Sequence, residues 1–592
     1  MKRLLAVFLA VLAFAPFLAS QDIRRDGPRV SPFRGMRQVA TGIEVQIDDD
    51  TWFALEAMGG VDTKTLLAEA ERLCGSSAWK RITEDMPALF EAMGHPLGST
   101  VDVDVRDLAT GARSTKKAVA LTAANRARLL AANGGARPGR PASVPGGPLT
   151  RSDAVADLEE LRGLLDTSFA YRDLRGVDVE AVIERAKTAC GAAEIARDDF
   201  VRVVDGVLRA FGDGHSRVDG VDTVHDVFLP CLVQEAEGGH VAFSPGRDAF
   251  VDPARPFVVA IDGQPIATWL AAARARSTQG SAAMQARGAE RLLRDLGDLR
   301  ADLGRPVAGD VTLRLRGATG ERNVVLRPSS RRPAYGEWPR TKTRRVGDFG
   351  CLRIAAMSSD EAFLDGLDAA MASFRDTKGL VIDVRGNGGG SRDALRRLAP
   401  YLLPADGTPV VGNVAAVLLD AGATAPEDAL ADRGLWRADW NGWSAPQAAA
   451  VRAVAKSFAP SWKLPAGRFS PWHYLVLDRA DNPKAFAYTR PVIVLIDRGC
   501  FSATDVFAAA LGALPNVRLV GEATSGGSGR ARGFTLGKSG VRLQLSSMAS
   551  FRPDGVLFEG NGVVPDVAVA TLPTDLIGTT DTVLQRAIEL LR

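Results

Sequence analysis

Histidine and cysteine are both scarce in this chain, with five of each among 592 residues. The cysteines (Cys74, Cys190, Cys231, Cys351 and Cys500) stand far apart and include no CxxC pair. A disulfide scaffold and a thiolate metal site are thereby excluded. Aromatic residues reach only 6%, which disfavours a stacking platform for single-stranded nucleic acid. The net charge of +3 is too small to mark nucleic acid or an anionic membrane as a partner. What is present is ordinary for globular protein: 46% hydrophobic and 24% charged residues. That material suffices for several cores, and the length predicts about three to five domains.

The one long apolar run lies at the start. Lys2 and Arg3 precede an uncharged stretch from Leu4 to Ala19, and the small residues Ala19 and Ser20 follow. This is the pattern of a secretory signal peptide over residues 1–20. The run is shorter than the ~20 residues a membrane span needs, although an uncleaved anchor is the rival reading. The mature chain is expected to be exported, periplasmic or extracellular, with no stable membrane span.

Residues 136–149, beginning ARPGRPASVPGGP, are rich in Pro and Gly and read as a linker. They separate an α+β module at 25–135 from the rest. A helical unit follows at 150–222, where Ala154, Leu158, Leu161 and Leu165 recur at helical spacing. It ends in the small-residue loop Phe211 to Arg217. A β-rich domain is expected at 225–335. It repeats the order of the first module: Ala57-Met58-Gly59-Gly60 before one helix corresponds to Ala260-Ile261-Asp262-Gly263 before another. The 25–135 module is therefore a candidate duplicate of the second. From 345 to 592 the pattern is α/β. Gly379 to Gly386 and Pro491 to Gly499 are continuous β-rich runs, as strands buried on both faces require, and each leads into a helix. Residues 405–485, which hold most of the tryptophans, read as an irregular insertion.

Four features carry candidate chemistry. Ser502 follows a buried strand and opens a helix, at the sheet edge where α/β ligand sites lie. There it serves either as a nucleophile beside free N–H groups or simply as the helix cap. The loop Gly386-Asn387-Gly388-Gly389-Gly390-Ser391 leaves N–H groups bare. It lacks the last Gly of a dinucleotide loop and the GK[ST] of a phosphate loop, so an oxyanion site fits better. His215 in FGDGHSR is a candidate base, with a solvated loop His as the bland alternative. Glu559 in LFEGNGVVPDV is a candidate carboxylate. No basic run stands near these motifs, so the sequence offers no reason to expect acidic substrates.

The five motifs FGDGHSR, GLVIDVRGNGGG, FSATDVFAAAL, GEATSGG and FEGNGVVPDVAV, in that order, resemble the C-terminal-processing (tail-specific) serine peptidases, and among them the tricorn-core branch. The likeness spans about residues 150–592. It implies a crotonase-like α/β peptidase core, a helical N-terminal unit and a PDZ-like domain. It also implies Ser502 as nucleophile, with Asp505 as the acid of the Ser-Ala-x-acid motif. Where the processing branch carries a catalytic Lys, this chain has Gly527, so a Ser–Lys dyad is lost. The tricorn-like branch uses a His and a Glu, which match His215 as base and Glu559 as its orienter. The Ser that precedes the His in that branch is Gly214 here. Ala503 with Gly388 or Gly389 would supply the oxyanion hole. The resemblance implies a serine endopeptidase acting on proteins or peptides, with no cofactor and no metal. A catalytically inactive binding protein on the same scaffold is the alternative, since fold alone does not fix function. An esterase of the α/β-hydrolase type is opposed by the absence of GxSxG around Ser502. Cys500, in the turn before the helix, is a poor nucleophile.

Overall fold

The computed structural model describes residues 30–39, 42–48, 51–74, 78–108, 110–126, 128, 129, 147–420 and 424–592. The expected signal peptide and the linker up to residue 146 lie outside the described residues. The chain divides into two units, Met1–Pro145 and Gly146–Arg592. Among the described residues no helix is long and apolar enough to cross a membrane.

The first unit is an antiparallel sheet in the order Gly35–Val39, Gly42–Gln46, Phe53–Met58, Thr100–Asp107 and Arg113–Ala120. Val101, Val103 and Val105 alternate with exposed residues, so one face of the sheet is apolar. Leu66, Ala70, Leu89 and Phe90 of the helices Thr63–Cys74 and Met86–Ala92 cover that face.

The repeat read in the sequence has a structural counterpart. In the second unit, the strands Leu232–Ala236, Gly239–Phe243, Phe257–Ile261, Val311–Gly317 and Gly320–Leu326 form a sheet of the same order. Each sheet adds a two-residue strand to its third strand: Ala57 pairs with Asp62 in one, Ala260 with Pro265 in the other. Each also has a register shift at the same place, between Leu55 and Ala57 and between Val258 and Ala260. A bulge is an inserted residue that bends its strand. Its recurrence at matched positions is hard to reach by chance in two unrelated hairpins.

The helices Arg151–Ser168, Val179–Ala189 and Arg197–Ala210 form the expected helical unit. Thr150 and Asp178 cap the first two by accepting N–H groups of the opening turn. Leu158, Leu161 and Leu165 join one apolar cluster with Leu543, Leu545 and Phe551, fastening this unit onto the α/β core. The following strand, Arg217–Val218, pairs with Arg542–Ser546. The loop carrying His215 is thus anchored at both ends.

The core sheet runs Arg344–Val346, Phe349–Arg353, Gly379–Asp383, Val492–Ile496, Val517–Gly521 and Val567–Ala568. From the second strand to the last, neighbours are parallel. Every residue of Gly379–Asp383 and Val492–Ile496 is buried, as the unbroken apolar runs required. Ile382, Val494 and Ile496 face helices Glu361–Ser373, Asp393–Leu402 and Ala503–Gly512, whereas Val381, Ile493 and Leu495 face Thr582–Leu591.

The segment 405–485 is not irregular. Its strands Val410–Val417, Trp436–Arg437 and His473–Leu477 join Met548–Phe551 in a second sheet. Helix Ala445–Ser457 packs on that sheet through Val451, against Val411, Val414 and Val476. The long Gly- and Pro-punctuated connections between these strands hid their common sheet.

Candidate active site

The carboxyl ends of the parallel strands Gly379–Asp383 and Val492–Ile496 converge on one edge, and the glycine loop and the turn before Ser502 meet there. Asp497 joins them: its Oδ1 accepts the N–H of Gly386 at 2.7 Å and of Gly499 at 2.8 Å. The Phe501 N–H donates to the Asn387 carbonyl at 3.1 Å. Gly389 presses against the turn. A Cβ there would stand 2.6 Å from the Phe501 carbonyl oxygen and 2.8 Å from Ser502 Cβ, and its φ is +103°. Only glycine satisfies both demands.

Ser502 does not cap its helix. It holds φ +63° and makes no side-chain cap bond to helix Ala503–Gly512. Its Oγ lies 2.8 Å from His215 Nε2 instead. A positive φ in a non-glycine residue is strain, and strain of this kind gathers at functional sites.

His215 is wedged rather than solvated. Its ring stacks on Phe501 with centroids 4.6 Å apart. The same phenyl ring explains both departures from the family pattern. A Cβ on Gly214 would come 2.6 Å from Phe501 Cζ, and one on Gly527 would come 2.5 Å from Phe501 Cε2. Phe501 therefore leaves no space for the Ser before His215 or for a Lys at 527.

Behind the imidazole lie two carboxyl groups, not one. His215 Nδ1 is buried and makes no hydrogen bond. Asp213 Oδ1 stands 4.0 Å from it. Asp213 is fully buried and accepts the His215 N–H at 3.0 Å and the Ser216 hydroxyl. Glu559, expected as the orienter, is brought to the same place. The ligand atoms of Asp213, His215 and Glu559 all lie within 4.8 Å of one another. Neither Glu559 oxygen has a hydrogen-bond partner, and the Arg175 guanidinium stands off at 3.7 Å. Burial, with the Asp213 charge adding to it, raises the Glu559 carboxyl well above its ordinary range. Asp213, which the sequence did not single out, therefore shares with Glu559 the place behind His215 expected of the orienter. Asp213 was in the quoted motif, but a lone Asp in a small-residue loop gives no signal of its own.

Burial lowers the His215 imidazole to about 4. Asp213 opposes this, and Arg433 and Arg217 add to it. The ring is therefore neutral and able to accept a proton throughout the neutral range. Asp505, buried behind the nucleophile, is pushed up to about 7 by burial, against hydrogen bonds led by the Thr524 hydroxyl. Burial likewise raises the Cys500 thiol well above its usual value, so it supplies no thiolate.

The glycine loop offers fewer donors than expected. The Gly389 N–H is occupied by Asn387 Oδ1 at 2.9 Å. Of the two loop glycines expected at the oxyanion site, Gly388 alone makes no N–H hydrogen bond among the described residues. Ala503, at the first position of its helix, likewise has no intrahelical acceptor. A second cluster of ligating groups, Glu235, His240 and Glu290, already surrounds a cation: Arg498 Nη1 lies 3.0 Å from Glu290 and 3.2 Å from Glu235.

Residues 348–569 match the profile of peptidase family S41, a span that includes Ser502 and Glu559 but not His215. Among solved structures, mature CPAF is 18% identical, with a TM-score of 0.54 over 74% of this chain and 98% of that one. CPAF complexed with lactacystin is also 18% identical, with a TM-score of 0.52 over 74% and 99%. The photosystem II D1 C-terminal processing protease is 15% identical, with a TM-score of 0.36 over 72% and 96%. At such identity the CPAF likeness is one of fold. No curated protein gives a significant match.

Proposed function

Because the chain belongs to peptidase family S41 and is a serine-type peptidase, we propose that it is an exported endopeptidase whose nucleophile is Ser502 and whose base is His215. The observation that carries this reading is the 2.8 Å contact between Ser502 Oγ and His215 Nε2. A Ser hydroxyl attacks a carbonyl only when a base removes its proton, and a neutral imidazole at hydrogen-bond distance is that base.

The steps follow from the geometry. His215 Nε2 takes the Ser502 proton as Oγ bonds to the peptide carbonyl carbon. The carbonyl oxygen becomes an oxyanion, held by the N–H groups of Ala503 and Gly388. A single such donor is worth about 10²–10³ in rate. The imidazolium then returns its proton to the departing amine, leaving an acyl-Ser502 ester. Water, deprotonated by the same imidazole, hydrolyses the ester. Asp213 and Glu559, both behind the imidazole, orient it and stabilise the imidazolium.

In this reading the six-stranded sheet, parallel but for its first strand, and its helices are a crotonase-like core at 345–592, with the helical unit at 150–222 bringing the base. The domain at 225–335 is PDZ-like and takes up an extended peptide by β-addition, while 25–135 is a second module of that topology. The test is a fluorophosphonate probe, together with peptide-library digestion read by mass spectrometry. Labelling and cleavage are expected in the purified protein and absent after Ser502→Ala. Cleavage that survives Ser502→Ala would end the assignment.

A further inference from the structure

Two arginines pack together close to the loop that carries His215. Arg392 stands directly before helix Asp393–Leu402, at the end of the glycine loop, and is only 6% exposed. Its two contacts are long: Nη2 to Ser528 Oγ and Nη1 to the Arg433 carbonyl, both at 3.4 Å. Arg433 closes the single helical turn Ala431–Arg433, and its Nε is buried without a partner. Among the described residues neither guanidinium forms an ion pair. The nearby Asp432 pairs with Arg530 instead, at 3.6 Å.

Both arginines belong to the site. Arg392 lies three residues after Gly389, which abuts Ser502. Its contact Ser528 precedes Gly529, where a Cβ would stand 3.1 Å from the His215 ring. Arg433 is close enough for its charge to depress the His215 imidazole. Burial, together with the neighbouring Arg433 charge, lowers the Arg392 guanidinium to about 9. Buried charges in folded proteins are normally paired, because an unpaired one loses its hydration without recompense. The Asp432 charge acts on both, but its ion pair is with Arg530, so two like charges near His215 with no ion pair of their own among the described residues suit an anion that arrives with the substrate.

We propose that Arg392 and Arg433 form a subsite for a carboxylate of the peptide substrate, carried by an acidic side chain or by the peptide's C-terminus. This deepens the peptidase reading and rests on it. Guanidinium groups match a carboxylate in geometry and donate charge-assisted hydrogen bonds to it. The bound carboxylate would also offset the positive charge facing His215, so the base strengthens once the substrate is seated.

The test uses the full chain carrying Ser502→Ala, so that binding is read without turnover. The probes are fluorescein-labelled Ala/Gly decapeptides bearing one Glu, or the isosteric Gln, at each position in turn, with a free or an amidated C-terminus. Fluorescence anisotropy is expected to show at least about tenfold tighter binding of carboxylate-bearing peptides. Preference for Glu in the amidated set assigns the acidic side chain; preference for the free acid in the Gln set assigns the terminus. Arg433→Gln and Arg392→Gln should each bring the ratio close to one, while Arg433→Lys keeps part of it. Equal affinity across all four sets in the Ser502→Ala protein overturns the subsite, whatever the arginine variants do. Loss of the ratio in neither arginine variant overturns it too. Separately, a wild-type protein that cleaves no peptide refutes the peptidase reading, while the binding ratio still decides the subsite.

Discussion

Replacing Asp213 by Asn and Glu559 by Gln separates the two carboxyl groups behind His215. Asp213 Oδ1 lies 4.0 Å from His215 Nδ1. Two unit charges at that distance attract by about 4 kcal/mol at an effective dielectric of about 20. The imidazolium exists only after proton transfer from Ser502, so this attraction lowers the barrier rather than the ground state. Its loss in Asp213→Asn is worth ~10³ in rate. The Asn oxygen can still accept the His215 N–H, which keeps the loop in place. Glu559 differs because burial, with the Asp213 charge adding to it, raises its carboxyl well above the ordinary range. Glu559→Gln is therefore expected to cost less, about tenfold, the scale of one altered neutral hydrogen bond. The second-order rate of fluorophosphonate labelling at Ser502 measures both variants without a known substrate, and thermal melting checks that each is folded. A ~10³ loss in folded Glu559→Gln with near-normal Asp213→Asn would refute this reasoning and place the charge on Glu559.

Three other expectations rest on the same pocket. The His215 imidazole is lowered to about 4 by burial, so the labelling rate should hold through pH 5 and fall only near about 4; an acidic limb near the ordinary value of about 6.5 would contradict it. The unfolded chain protonates this residue below about 6.5 and the folded one only near about 4. Its contribution to stability is therefore complete above pH ~6.5 and is lost as the pH falls toward 4, which denaturant titrations across that window will detect. Gly527→Lys should restore no dyad, because its Cβ would stand 2.5 Å from Phe501 and 3.0 Å from Glu559 Oε2; overpacking predicts a stability loss of about 1–3 kcal/mol, and an unchanged melting curve would show that the pocket has room.

By itself the sequence determined what local chemistry controls. Unbroken apolar runs can be satisfied only by strands covered on both faces, so Gly379–Asp383 and Val492–Ile496 were readable as the centre of a parallel sheet. The helical period marked Leu158, Leu161 and Leu165, and glycine-rich turns marked the sheet edge where Ser502 stands. The like order of strands in the two sheets could be read ahead because segments of like pattern place their turns and helices alike. Tertiary structure decided what depends on distant segments meeting. It turned Ser502 from a helix cap into a partner of His215, 287 positions away in the chain. It engaged the Gly389 N–H with the Asn387 side chain and left the Gly388 N–H without such a partner. It gave the sheet hidden in 405–485 its partner strand, Met548–Phe551. It brought Arg392 and Arg433 together where no basic run exists in the sequence. It also buried Glu559 beside Asp213, which raises the Glu559 carboxyl above its ordinary range. Ionisation is set by burial and by neighbouring charge, and neither is defined until the chain has folded.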